Sequence, residues 1–321
     1  MTDLKFIESK VNEFCEKNDK NLSISSEKYF RFPCCLGIDE AGRGPVLGPM
    51  VYSGAYIEIR NLEKLSNIGL DDSKKLKEET RNELLSLLSD TDKKLCGYEI
   101  EILSPSFITN QMLNVNKTNL NTMSHDAAIN IIRKVINKGV NLTEVYIDTV
   151  GSPEKYNALI SSHFPKLKVV VESKADASYK IVSAASIFAK VVRDKCIHNW
   201  KHRETFPLSN DNCGSGYPSD PVTKNYLKNA FDRIFGFPQF VRMSWSTASV
   251  IMEKDCVPIS WEDEEAVEAM KFSKSAKRNS SGMVIEKPNK SLLEFYSPSL
   301  SVDMRHKYFT ARKLERVSKF H

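Results

Sequence analysis

Leu36-Gly37-Ile38-Asp39-Glu40-Ala41-Gly42-Arg43-Gly44-Pro45-Val46-Leu47-Gly48-Pro49-Met50-Val51-Tyr52 decides the reading of this chain. A short apolar run ends in two adjacent carboxylates and then turns through Gly-Arg-Gly-Pro. Neighbouring side chains on a strand point to opposite faces. Asp39 and Glu40 therefore serve one site only where the strand stops and the turn re-aims Glu40. Gly42 and Gly44 permit such a turn, because glycine tolerates φ > 0 and lets another backbone approach closely. Arg43 between them is a forked cation suited to phosphate. Carboxylates for a hard metal, beside bare backbone and an arginine, point to phosphodiester chemistry. The plain alternative is a strand leaving a sheet through a Gly-Pro turn, so the rest of the chain has to decide.

Working outward, 321 residues hold one large domain, or a domain with extensions, and bury a sizeable core. The balance of 46 Lys plus Arg against 41 Asp plus Glu gives a formal +5. That is compatible with a nucleic-acid partner but too weak to demonstrate one. No run approaches eighteen consecutive apolar residues, so no membrane span is expected, and the polar opening Met1-Thr2-Asp3-Leu4-Lys5 does not read as a secretory signal. The seven cysteines are scattered and form no C-x-x-C pair. A disulfide framework or zinc site is not expected, and a reducing cytosolic or nuclear setting fits.

Residues 1–32 read as an extension before the core, with an amphipathic helix near Leu4 to Phe14. Apolar segments at Val51-Tyr52 and Ala55-Tyr56-Ile57 follow the opening stretch closely enough to predict antiparallel pairing. Asp71-Asp72-Ser73-Lys74-Lys75 then precedes a helix carrying Leu84, Leu85, Leu87 and Leu88, with Ser73 as its candidate cap. A helix start beside Lys74 suits a phosphate, although a solvated cap is the plainer reading. Tyr98 to Leu103 is a further strand. The segment from Asn119 leads into a helix with Ile129, Ile132, Val135 and Ile136 on one face, ending at Gly139. His125 and Asp126 have no partner His at helical spacing and read as capping or surface residues.

Thr143-Glu144-Val145-Tyr146-Ile147-Asp148 alternates as a strand and ends in an acid at a turn, the usual place for an α/β site residue. A helix from Ser152-Pro153 to His163 and a strand from Leu167 to Val171 follow, and the intervening helix makes parallel pairing plausible. Lys174-Ala175-Asp176 opens a helix running to about Trp200, with Asp176 read locally as its N-cap. Gly214-Ser215-Gly216-Tyr217-Pro218 is a stiff loop presenting one aromatic ring. A helix is predicted over Val222 to Phe235, and the aromatics at Phe235, Phe237, Phe240 and Trp245 read as core. Beyond Val257 the chain turns charged and serine-rich. These patterns divide it into an N-terminal extension (1–32), a catalytic domain (33–250) and a C-terminal tail (251–321).

The string Asp39 to Pro45, followed by Leu47-Gly48-Pro49, closely resembles the opening motif of type 2 ribonuclease H. Its continuation through Tyr52 looks like the catalytic A subunit of the eukaryotic three-subunit enzymes. The Lys174-Ala175-Asp176 segment, the helix Ser183 to Lys190, the Gly214–Pro218 loop and the stretch Phe235 to Arg242 extend the resemblance in order. It covers roughly residues 34–250. It implies an α/β ribonuclease H-like fold, a mixed sheet flanked by helices, with a helical C-terminal extension. It further implies a four-acid set of Asp39, Glu40, Asp148 and Asp176 that holds two divalent cations, Mg²⁺ or Mn²⁺. The substrate contacts implied are the Gly42-Arg43-Gly44 backbone, Lys74 and Tyr217, the last stacking on a sugar at a ribonucleotide–deoxyribonucleotide junction.

The implied substrates are RNA:DNA hybrids and duplex DNA carrying single ribonucleotides, cut to leave a 3′-hydroxyl and a 5′-phosphate. The implied partners are two accessory subunits, in the nucleus with a cytoplasmic pool. Asn289 to Tyr296 resembles a degenerate sliding-clamp-binding peptide, and Lys307 to Phe309 with Ala311 to Phe320 suit docking on a partner. Two alternatives stay open: a nucleic-acid-binding subunit without turnover, and a DNA junction nuclease on the same scaffold.

Overall fold

The computed structural model describes residues 3–17, 20–28, 30–70, 76–90, 95–204 and 213–257. Lys74 and everything proposed for the tail from residue 258, including Asn289 to Tyr296, lie outside them. The amphipathic N-terminal segment forms α1 (Asp3–Lys17), and its Ile7, Val11, Phe14 and Cys15 are buried in the core. A short strand β1 (Leu22–Ser25) follows. The expected extension is therefore part of the fold. Its helix hides an apolar stripe, and β1 pairs antiparallel with β4 (Gly97–Leu103).

Two long strands come next, β2 (Cys34–Ala41) and β3 (Met50–Glu58). The apolar segments at residues 51–52 and 55–57 are one continuous strand, paired antiparallel with β2 over its full length. After α2 (Leu62–Ser66), α3 opens at Glu78 and runs to Leu88, five residues beyond the expected Ser73 cap. Downstream of β4 lie α4 (Pro105–Leu113) and α5 (Leu120–Asn137), the latter capped by Asn119, whose side chain accepts from the Thr122 N–H. Then come β5 (Leu142–Asp148), α6 (Pro153–His163) and β6 (Lys168–Glu172).

The six strands order as β1-β4-β3-β2-β5-β6. The first four pair antiparallel, while β2, β5 and β6 run parallel, as the crossover helix requires. Two apolar clusters cover the two faces, one built on α5 and α6 and the other on α1, α3 and α8 (Lys180–His198). The central helix α8 lies directly on β2. A Cβ at Gly37 would collide with the backbone of Ile181 and Val182, so the glycine sets how closely helix and strand approach.

The expected single helix from Asp176 to Trp200 is two. α7 (Ala175–Ser178) is one turn, and an extended Tyr179 separates it from α8. Asp176 lies inside α7, and the N-cap is Lys174 in a left-handed conformation (φ 60°). The helix predicted over residues 222–235 is shorter, α9 (Pro221–Asn229), and Phe235 stands 84% exposed on a turn, whereas Phe237 and Phe240 are buried. The last described helix, α10 (Ser246–Asp255), spans the expected border between residues 250 and 251. No helix among the described residues is long and apolar enough to cross a membrane.

Candidate active site

The parallel ladder between β2 and β5 ends at the pair Ile38 and Ile147. Asp39 and Asp148 are each the next residue, so the two carboxylates emerge together at the ends of adjacent strands. Here β2 does not stop at its acids, because Asp39, Glu40 and Ala41 still pair with Ser53, Tyr52 and Val51 of β3. Strand alternation is kept. Asp39 meets Ser186 and Lys190 of α8, while Glu40 lies across from Tyr52 and near Tyr156 on the other face. Both still line one cleft of about 470 Å³, since they occupy the free rim where β5 has ended. The expected re-aiming of Glu40 by the turn is unnecessary.

The same cleft is lined by Gly42, Arg43, Gly44, Asp148 and Tyr217, together with Arg81, Lys190, Arg193 and Asp194. Asp176 is buried and does not line it. It follows Ala175, whose N–H donates to Asp148 Oδ1 at 3.0 Å. His125 stacks on Tyr156 with ring centroids 4.1 Å apart, a packing role in place of capping or surface exposure.

Burial and the adjacent Asp148 charge push the Asp39 carboxyl up to about 7, against smaller opposing effects of the Ser186 hydroxyl, the Glu40 N–H and Lys190. Among the described residues no three His, Cys, Asp or Glu side chains are gathered closely enough to form a ready metal cage. The electrostatically joined pair is Asp39 and Asp148. Two carboxylates raising each other's cost of ionisation, with all-oxygen donors, fit a hard divalent cation better than zinc.

The loop after β2 is fixed from behind by Arg242, which the sequence marks only as the end of a family-like stretch. Arg242 is completely buried. Its guanidinium donates to the carbonyls of Gly48 (2.9 Å), Arg43 (3.1 Å) and Gly42 (2.6 Å), and lies 4.9 Å from the Trp245 ring. Trp245 Nε1 donates to the Gly44 carbonyl at 2.9 Å, so this ring is a loop support and not simply core. Gly42 has φ +82°, and a Cβ there would strike the Arg193 side chain. Arg43 donates to Asn121 at the start of α5.

Tyr217 stands beside this loop. A Cβ built on Gly44 would be 3.0 Å from its ring, which is 49% exposed toward solvent. Asp220 shapes the Tyr217 loop by accepting from the Ser215 N–H (2.6 Å) and hydroxyl (2.8 Å), bonds that lower its carboxyl to about 2. Val46 N–H donates to the Gly216 carbonyl at 2.8 Å and joins the two loops.

Residues 36–248 match the family described as ribonuclease HII. The chain belongs to the ribonuclease HII family. It is 43% identical to the ribonuclease H2 A subunit of Mus musculus, over 89% of this chain and 90% of that protein. It is 44% identical to the ribonuclease H2 A subunit of Arabidopsis thaliana, over 90% and 96%. The ribonuclease H2 structure from Pyrococcus horikoshii OT3 is 34% identical with a TM-score of 0.58, covering 69% of this chain and 98% of that one. The ribonuclease HII of a PCNA complex from Archaeoglobus fulgidus is 31% identical with a TM-score of 0.56, covering 72% and 99%. This ribonuclease HII family member is accordingly a ribonuclease H, an endonuclease of RNA strands, with the mixed sheet of the ribonuclease H-like fold.

Proposed function

We propose that this cleft hydrolyses the RNA strand of RNA:DNA hybrids and cuts on the 5′ side of single ribonucleotides in duplex DNA. The observation that carries the proposal is the placement of Asp39 and Asp148 together on a rim that also holds the Gly42–Gly44 backbone and Tyr217. Two divalent cations of the Mg²⁺ or Mn²⁺ class would be held by the cleft-lining Asp39, Glu40 and Asp148, with Asp176, buried on the segment that bonds Asp148, as the fourth acid, and would supply an activated water and stabilise the leaving 3′ oxygen.

The chain's own groups select the substrate. RNA differs from DNA by its 2′-hydroxyl. Because a trans peptide directs N–H and C=O oppositely, carbonyls turned to Arg242 leave the Arg43 and Gly44 N–H groups pointing away from it. These amides are the proposed detector of the ribose hydroxyl. The Tyr217 ring is proposed to lie on the neighbouring deoxyribose, where an apolar face suits a sugar lacking that hydroxyl. Lys74 is proposed to hold a backbone phosphate. In the same proposal the enzyme acts with two accessory subunits, chiefly in the nucleus, and Asn289 to Tyr296 engages a sliding clamp. The kinship to the A subunits of other ribonucleases H2, and to an enzyme solved with PCNA, supports these partners.

The test is end analysis of products from a labelled RNA:DNA hybrid. RNA fragments with 3′-hydroxyl and 5′-phosphate ends are expected. Cyclic phosphate ends, or preferential cutting of all-DNA junctions, would overturn the reading.

A further inference from the structure

The helix α8 side of the cleft carries a second bank of polar side chains beyond those that face Asp39. Ser186, Lys190, Arg193 and Asp194 fall on one side of α8 at helical spacing. Ser186 and Lys190 face Asp39. Arg193 and Asp194 lie seven and eight residues beyond Ser186, about 11 Å along the helix axis. Arg81 reaches the same bank from α3. Its Nη2 donates to Asp194 Oδ2 at 3.0 Å and its Nη1 to the Leu76 carbonyl at 3.0 Å. Arg193 lies over Gly42, with Nη2 donating to the Leu47 carbonyl at 3.4 Å.

Arg81 is ion-paired to Asp194, and the charge of Arg193 also acts on that carboxylate at the cleft wall. Each arginine also keeps a buried Nε with no hydrogen-bond partner among the described residues. Two arginines against one carboxylate leave a surplus positive charge at the wall of a half-enclosed cleft, which suits an anion with several acceptor oxygens.

We infer that Arg81 and Arg193, steadied by Asp194, form a phosphate subsite that grips the nucleic-acid backbone beside the scissile position. The subsite rests on the proposed function, since it takes a neighbouring phosphate of that same substrate. Its distance from Ser186 puts it beyond the phosphate that Asp39 and Asp148 attend. Asp194 is a positioning residue here. It accepts from Arg81 and supplies the charge that lets two arginines sit close together. The competing role is a plain tether of α3 to α8, which predicts effects on folding but none on binding.

The test measures binding of the full chain to a fluorescent DNA duplex with one ribonucleotide, in EDTA, over a range of salt. Neutralising one phosphate contact changes the slope of log K against log[salt] by about 0.9. Arg81→Gln is expected to weaken binding several-fold and to lower the slope by about one, while Arg81→Lys keeps the slope. The double variant Arg81→Gln with Asp194→Asn removes that ion pair but leaves Arg193 without its neighbouring carboxylate; it is expected to show the same slope loss at a lowered melting temperature. Slopes equal to wild type in both the single and double variants, with only the melting temperature changed, would overturn the subsite and leave the functional reading intact. A wild-type chain that does not hold this duplex contradicts the functional reading, and the subsite falls with it.

Discussion

Asp39 and Asp148 leave adjacent parallel strands at the same level, each one residue past the last paired positions, Ile38 and Ile147. The field of Asp148, added to burial, is what holds a proton on Asp39 up to about pH 7. A carboxyl whose folded pKa is raised contributes stability that is complete below the unfolded value near 4 and is lost as pH rises through about 7. In chelator, the unfolding free energy of the wild-type chain should therefore fall between about pH 4 and 7 more steeply than that of Asp39→Asn, and level off above it. The difference in slope should approach about 1.4 kcal/mol per pH unit at most. Mg²⁺ should restore the wild type above pH 7 and leave the variant little changed. Parallel pH curves for the two proteins would show that the pair is not electrostatically joined.

Arg242 commits its donors to three carbonyls of the Gly42–Gly48 loop. Removing it leaves buried acceptors unpaired, each costing about 1–3 kcal/mol. Arg242→Gln is expected to lower unfolding free energy by about 3 kcal/mol in urea titrations. It should also relax the choice between ribonucleotide and deoxyribonucleotide, because the loop peptides lose their fixed orientation. Unchanged discrimination in a destabilised variant would confine Arg242 to folding.

Tyr217 presents a half-exposed ring beside Gly44. If it checks the sugar that follows the ribonucleotide, Tyr217→Ala should reduce cleavage at a single ribonucleotide by at least tenfold more than cleavage of long RNA:DNA hybrids. Comparing kcat/KM on the two substrates measures this. Equal losses on both would refute that division of labour.

The gathering of Asp39, Asp148 and the glycine loop was readable in sequence because each lies at or just past the carboxyl end of a strand, where parallel sheets expose side chains. The persistence of β2 through Glu40 was not. It depends on pairing with Tyr52 and Val51 across the hairpin, while the missing partner on the β5 side opens the rim. Arg242 was hidden for a different reason. Its acceptors are backbone carbonyls up to 200 residues away, and no local pattern marks a buried arginine. The four-residue β1 is too short for a period, and its ladder partner is 74 to 80 residues distant. The break at Tyr179 carries neither glycine nor proline, so nothing in the helical spacing announces it.

The measurement that bears most directly on the central claim is cleavage of a labelled DNA duplex carrying one ribonucleotide, in Mg²⁺ and in Mn²⁺. Wild type, Asp39→Ala and Asp148→Ala would be compared, each alone and with the accessory subunits. The account predicts a single cut on the 5′ side of the ribonucleotide, lost by about a hundred- to a thousandfold in both variants, the scale at which removing one key charge-stabilising group acts. Binding of the duplex without any cut under either condition, or cutting that survives both substitutions, would contradict it.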